Sequence, residues 1–262
     1  MSAVISLMGY IVKYLLITLD KLKMAVLLCN HDKHVTQRVI NMIKLSKASK
    51  MPCRSWSLEA ISTCPASKDI NGELVPACQG CYATTGNYRF SNVKAPREHN
   101  KKDWQRPEWV SDMIAELDND RYFRWFDSGD MYALGLAEKI FQVMEATPHC
   151  KHWLPTRMYK LDKFKNILAR MESLPNVVVR KSSDSVLGET INGLTTSTII
   201  PTPDHATSDM TVCEAYDRAG KCGSCRACWN KDIKIIAYPA HGIKMKKIIN
   251  LKLVQVAITK RG

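Results

Sequence analysis

The sequence contains no G-x-x-x-x-G-K-[ST] phosphate loop, no G-x-G-x-x-G fingerprint, no G-x-S-x-G elbow and no H-E-x-x-H helix. Phosphate-loop hydrolysis, Rossmann-type redox chemistry, serine hydrolysis and zincin proteolysis therefore lack their usual carriers. Glycine and proline, 12 and 11 of 262 residues, are too sparse for a collagen-like or low-complexity chain. Ten cysteines fall short of a disulfide scaffold, and a domain of this length buries roughly 70–75% of its unfolded surface without staples. Long apolar runs are scarce as well. The most apolar stretch, residues 3–19, is broken by Lys13, and no Lys or Arg precedes it. That pattern fits neither a spanning helix of about 20 apolar residues nor a secretory signal. The stretch is expected to form a buried or membrane-surface helix, or else the working chain starts at Met24 or Met42.

Acidic residues are few at both ends. Residues 1–50 hold eight Lys/Arg against two Asp, and residues 229–262 hold eight against one. These two segments carry the whole net charge of +13, so the middle of the chain is neutral. A basic groove running through a nucleic-acid-binding core is not encoded this way. Basic flanks still attract DNA, RNA or acidic partners weakly, or serve only as solubilising ends.

Between those flanks, strand-like and helix-like segments alternate. Residues 121–126, 151–154, 176–179 and 233–238 read as strands, and residues 133–144 and 161–171 carry apolar side chains at helical spacing. Residues 112–117 belong to a helix before the first of these strands. This alternation predicts an α/β fold, a full or partial (β/α) barrel, whose reactive groups gather at the carboxyl ends of the strands. Polar clusters stand there: Asp127 to Asp130, Thr156-Arg157, and Ser182 to Asp184. The expected organisation is an extension over residues 1–45, the core over 46–210, a cysteine-rich module with the last strand over 211–240, and a basic tail over 241–262.

Two cysteine groups carry the chemistry. Cys213, Cys222, Cys225 and Cys228 form C-x8-C-x2-C-x2-C, with Gly220, Gly223 and Ser224 permitting tight turns. Four thiolates satisfy tetrahedral zinc or all the irons of a 4Fe-4S cluster. Cys64, Cys78 and Cys81 are three. Three thiolates hold three irons of a cubane and leave the fourth open to a small molecule; with Cys53 or His99 as a fourth ligand the site is closed and structural. Cys29 and Cys150 read as buried thiols. His31 and His34 read as solvated, and His149 and His152 beside Cys150 read as a turn or a zinc site. The aromatic run Trp104, Trp109, Tyr122, Phe123, Trp125 and Phe126 either packs the core or stacks bases.

The stretches at 50–60, Cys64-Pro65, Cys78-x2-Cys81-Tyr82-Ala83, 125–130 and Cys222-Gly-Ser-Cys225-Arg-Ala-Cys228-Trp229 are similar to a bacteriophage family labelled gene product 88-like, over roughly residues 46–239. That family has no established biochemical role, so the likeness implies phage origin and a place in the host cytoplasm. More distantly, a three-cysteine loop after the first strand of an α/β barrel resembles the radical S-adenosylmethionine enzymes. This resemblance implies a 4Fe-4S cluster on Cys64, Cys78 and Cys81 and S-adenosylmethionine as cofactor. Ser128, Gly129 and Asp130 would lie against the methionine ammonium, and Arg157, Ser182 and Asp184 against the carboxylate or ribose. Cys213, Cys222, Cys225 and Cys228 would hold an auxiliary cluster. The first gap, thirteen residues, is longer than the usual C-x3-C, and Gly80 stands where an aromatic is usual. The alternative is a zinc-bearing phage protein that binds nucleic acid or a host factor, with both cysteine groups structural.

Overall fold

The computed structural model describes residues 43–259 apart from Ala48. The expectations for residues 3–19, for the starts at Met24 and Met42, and for Cys29, His31 and His34 lie outside the described residues. From residue 43 onward the chain forms a single compact unit.

Eight strands make one sheet: β1 (Ser46–Lys47), β2 (Arg54–Trp56), β3 (Tyr122–Trp125), β4 (Lys151–Thr156), β5 (Val177–Ser182), β6 (Thr196–Ile200), β7 (Met210–Val212) and β8 (Ile235–Pro239). Their order is β1-β2-β3-β4-β5-β6-β8-β7. All neighbours run parallel except β1 and β2. The expectation of a mixed α/β fold holds, but the sheet is not closed. A short antiparallel β1 ends one edge and β7, set outside β8, ends the other, so a full barrel is corrected to an open sheet.

Among the described residues six α-helices accompany the strands: α1 (Pro76–Gln79), α2 (Ser91–Asp103), α3 (Trp109–Glu116), α4 (Leu134–Ala146), α5 (Lys165–Ser173) and α6 (Ile243–Thr259). Helix α4 joins β3 to β4 and α5 joins β4 to β5, the crossover that parallel neighbours require. The stretch read as a basic tail is thus helical from Ile243 and packs Met245 and Ile249 onto Ala77 of α1. No helix among the described residues is long and apolar enough to cross a membrane.

Strand periodicity decides what each face does. Phe123 and Trp125 of β3 point to the helices and are fully buried, while Tyr122 and Arg124 alternate onto the other face. The helix-side core gathers Trp56, Trp109, Phe123, Trp125, Ile140 and Leu168, with Trp56 and Trp109 edge to face at 5.4 Å. Most of the aromatic run is therefore core. Strand β5 is covered on both sides, which is why Val177, Val178 and Val179 read as a continuous apolar run.

The second face of the sheet is covered by the cysteine-rich loop between β7 and β8. Arg180, 0% exposed, donates through Nε to Cys228 O (3.1 Å), through Nη1 to Ile233 O (2.9 Å), and through Nη2 to Ala227 O and Asn230 O (both 2.9 Å). Trp229 Nε1 adds a bond to Phe123 O at 2.9 Å. One strand-borne guanidinium and one indole thus fix the loop's path.

His152 is consumed by the core. The Trp125 indole can only donate, so at 3.2 Å it makes His152 Nδ1 an acceptor. The ring proton then sits on Nε2, 2.9 Å from Thr147 Oγ1, whose own hydrogen goes to Val143 O. Both nitrogens are occupied and His149 faces Leu117 O, so a zinc site around Cys150 is excluded in this arrangement. Burial pushes the His152 ring down to about 3 from 6.5. The folded state stays neutral where the unfolded state takes up a proton. Stability is therefore complete above about pH 6.5 and is lost as pH falls from there toward about 3, by up to about 1.4 kcal/mol per pH unit from this residue. Urea midpoints measured between pH 7 and 4 are expected to show this slope, and a His152→Phe variant, weaker at pH 7, is expected to show less of it. Arg180→Met is expected to cost about 3 kcal/mol or more, because four carbonyls lose a charged donor; thermal melting and proteolysis within residues 213–234 check this.

Candidate metal and cofactor site

The first cysteine group is built by the long connection after β2. Its backbone folds on itself through Cys64 N to Ile61 O (3.1 Å), Ser67 N to Cys64 O (3.0 Å) and Val75 N to Ser67 O (2.9 Å). Pro76 opens α1 at a position that needs no N–H. Cys81 N then bonds Cys78 O at 3.2 Å, so a single turn sets these two thiols side by side. Ala77 N bonds Asp184 O at 3.0 Å, which ties α1 to the end of β5.

The three thiols feel one another. Cys64 lies within electrostatic range of Cys78, Cys81 and Asp130, and Cys78 within range of Cys81, Arg157, Asp184 and Lys160. Burial is the largest influence on each: it pushes Cys64 up to about 12 and raises Cys78 and Cys81. Arg157 opposes this at Cys78 and Cys81, and Lys244 does so at Cys81. Cys53 is elsewhere. It precedes β2 and packs with Met51, Trp153 and Trp229 near Cys222, whereas Cys64 lies beyond the other end of the same strand. It is thus not the fourth member of the first group. His99 sits on α2, 3.8 Å from Asp103 one turn away.

The second group converges on Cys213. Its thiol lies within electrostatic range of both Cys222 and Cys228, and Cys222 within range of Cys225. Cys213 N bonds Ala237 O and Cys222 N bonds Lys50 O, both at 2.8 Å; Cys225 N bonds Cys222 O at 3.0 Å. Gly220 and Gly223 have φ of +74° and +56°, the left-handed turns that bring the chain back on itself. Cys228 Sγ meets the Tyr238 hydroxyl at 3.4 Å, and burial raises the thiol to about 11. Cys53, Cys64, Cys78, Cys81, Cys150 and the four of this group are free thiols. Among the described residues no three His, Cys, Asp or Glu side chains are drawn together as a formed metal-binding group.

Around the first group stand the polar strand ends. Ser128 Oγ donates to Leu58 O (2.7 Å) and accepts from Arg97 Nε (2.6 Å), while Arg97 Nη2 reaches both oxygens of Asp127 at 3.1 Å. Gly129 has φ +78°, and a Cβ there would lie 2.6 Å from Leu58 Cβ. Phe126, at φ +56°, adds a strained non-glycine residue to the same corner. Asp130, 6% exposed, accepts from Thr156 Oγ1 and Met131 N (both 2.8 Å) and from Arg157 N (2.9 Å). Burial lifts its carboxyl to about 6 against those three bonds.

Arg157 Nε bonds Asp184 Oδ1 at 3.1 Å and its Nη2 bonds Ser183 O at 2.7 Å. Lys160 Nζ takes Asp184 Oδ2 at 2.6 Å. Ser182 stands differently from the expected turn. Strand β5 runs on to Ser182, which pairs with Ser197 and gives its carbonyl to the Tyr159 hydroxyl, so Ser183 and Asp184 form the end. Six of the residues selected from the sequence lie in one region, linked pairwise by electrostatic range or hydrogen bond: Cys64, Cys78, Cys81, Asp130, Arg157 and Asp184. Lys160, Arg97, Tyr82, Arg124 and Arg180 escaped the sequence reading. An isolated cation or phenol has no spacing signature, although Tyr82 directly follows Cys81.

A family model described as Gene product 88 matches residues 26–231, more than three quarters of the chain. The match starts before the motif-bearing region near residue 46 and stops before the end of β8. No curated protein and no solved structure gives a significant match. The chain belongs to the gene product 88 family.

Proposed function

We propose that this phage-family protein is an iron–sulfur enzyme of radical S-adenosylmethionine type, with its reaction site at Cys64, Cys78 and Cys81. The observation that carries the reading is the position of these three thiols. They lie within electrostatic range of one another where the connection after β2 meets Asp130, Arg157 and Asp184, beyond the carboxyl ends of β3, β4 and β5. Open α/β sheets bind ligands at this edge.

The support for a cluster is the kind of donor, three cysteines on one loop, which would have to draw together to bind it. One buried thiol, Cys78, and two half-buried ones, Cys64 and Cys81, in a region that also holds Arg157, Lys160 and Lys244 have cations at hand to balance the charge that deprotonation creates. A 4Fe-4S cluster held by three thiolates would supply, once reduced by an external one-electron donor, a binding point for S-adenosylmethionine and the electron for its reductive cleavage. The chain's own residues bind and orient. Asp130 receives three hydrogen bonds from the protein and so acts as a positioning residue, holding the backbone of Arg157. The Nε and Nη2 groups of Arg157 engage Asp184 and Ser183, leaving Nη1 as the donor for a cofactor carboxylate. Ser128 and Gly129 shape the floor, through the Leu58 carbonyl and the absent Cβ.

A second reading concerns the other cysteines alone. The loop that bears Cys222, Cys225 and Cys228 is fastened by Arg180 and Trp229, so a structural metal, zinc or a closed cluster, suits it.

Anaerobic purification with iron, sulfide and zinc analysis tests both. Two cubanes give about seven to eight irons per chain, and a cluster with a structural zinc gives about four irons and one zinc. Cys78→Ala is expected to lose the first cluster's iron and all S-adenosylmethionine cleavage while keeping the second site's metal. Stoichiometric zinc without iron overturns the enzyme reading.

A further inference from the structure

The paired arginines of the interior have identified partners. Arg97 holds Asp127, Arg157 holds Asp184, Arg54 holds Glu116 and Asp120, and Arg180 holds four carbonyls. Arg124 differs. It projects from β3 on the face opposite the helices, in register with Ser55 and Trp153. Its guanidinium carbon lies 4.5 Å from the Trp153 ring centroid. Nη1 meets only the Met51 thioether at 3.5 Å, and Nη2 only the Tyr82 hydroxyl at 3.3 Å. Nε is buried with no acceptor. No carboxylate among the described residues forms an ion pair with it. The Asp127 carboxylate, within electrostatic range, is already bound by Arg97.

A guanidinium in such surroundings is expensive to bury, and a phenol and a thioether compensate it weakly. Its planar fork matches a carboxylate or phosphate in two parallel bonds. The guanidinium is half-buried. Tyr82 keeps 43% of its surface exposed while its hydroxyl reaches Asp127 O and Arg124, and Tyr88 donates to Asp127 Oδ2 at 3.2 Å from alongside. Tyr82 and Tyr88 contact edge to face at 5.5 Å, giving the cation an aromatic border. Arg124 lies within electrostatic range of Cys53 and Cys228, and the Tyr82 side chain, which follows Cys81, reaches it from the first cysteine group, so an anion held by Arg124 sits between the two groups.

We propose that Arg124 anchors the anionic group, a carboxylate or a phosphate, of this protein's small-molecule substrate. The assignment of that anion to a substrate rests on the reading of Cys64, Cys78 and Cys81 as the reaction site; the anion site itself does not. Titration calorimetry of the full chain with sodium benzoate and with inorganic phosphate, at constant ionic strength, tests it. Saturable binding of at least one is expected, weakened tenfold or more by Arg124→Gln and less by Arg124→Lys. Benzoate alone points to a carboxylate substrate, phosphate alone to a phosphorylated one, and both to the shared chemistry. If Arg124→Gln does not fold, phenylglyoxal labelling of the unaltered chain decides: the binding anion must protect Arg124 from modification. Absence of binding to the unaltered chain, equal binding by Arg124→Gln, or an Arg124 that no anion protects overturns the proposal. Anion binding at Arg124 in a chain that takes up no iron leaves this site standing and removes the cluster reading instead.

Discussion

One buried carboxylate organises the end of the sheet on which the site depends. Asp130 follows β3 and accepts three hydrogen bonds from its neighbours: the Met131 amide, the Thr156 hydroxyl and the Arg157 amide. Two of these belong to the end of β4. The Arg157 side chain passes the connection on to Asp184 and Ser183 after β5, and Asp184 O receives Ala77 N from the helix that carries Cys78. A continuous polar path therefore runs across three strand ends and into the cysteine loop. Each link lies in or near a poorly hydrated region, where a satisfied hydrogen bond is strong and an orphaned one is costly. The path fixes where the loop returns to the sheet, and with it the neighbourhood of Cys64, Cys78 and Cys81.

The other face of the sheet obeys the same rule with the signs exchanged. There the buried group is a cation, Arg180, and the acceptors are main-chain carbonyls of residues 227, 228, 230 and 233. Carbonyls can be supplied by any sequence, so the loop retains freedom to place its cysteines while its path is held. Trp229 seals the arrangement against Tyr122 and Trp153 at 5.5 and 5.3 Å. The two cysteine groups thus approach the sheet from different sides of its strands, the first beyond their carboxyl ends and the second across the face.

Much of this was legible in the sequence where a side-chain period existed to be read. Strands β3, β4, β5 and β8 and helices α4 and α5 each announce themselves by alternation, by a buried Val run, or by apolar residues at helical spacing. Strands β1 and β2 are two and three residues long, too short for any period. Strand β6 begins Thr-Ser-Thr, whose hydroxyl-bearing residues read as a turn. Helix α2 is mostly polar and contains Pro96, and α6 is apolar around most of its circumference, so neither shows a clean stripe. The cysteines were visible because ligand spacing is itself a pattern. Arg97, Arg124 and Arg180 were not, because pattern reading assigns a cation in a strand or helix to the surface, and only the fold reveals that these project into protein.

The neutral net charge of residues 51–228 follows from how those arginines are employed. Inside that segment Arg54, Arg97, Arg106 and Arg157 each meet carboxylates, so positive and negative groups cancel in pairs rather than by dilution. The thiols then set a separate demand. Burial holds Cys64, Cys78 and Cys81 in the protonated form, and ionising three adjacent sulfurs adds negative charge where Asp130 and Asp184 already stand. Cations already close by lessen that cost. Arg157 and Lys160 lie near Cys78, and Lys244, which bonds Thr84 Oγ1 at 3.1 Å, lies near Cys81. Lys244 comes from α6, in the basic carboxyl-terminal region, and so that region contributes charge to the site as well as to the surface. The basic end of the chain thus folds back onto the neutral middle at the first cysteine group.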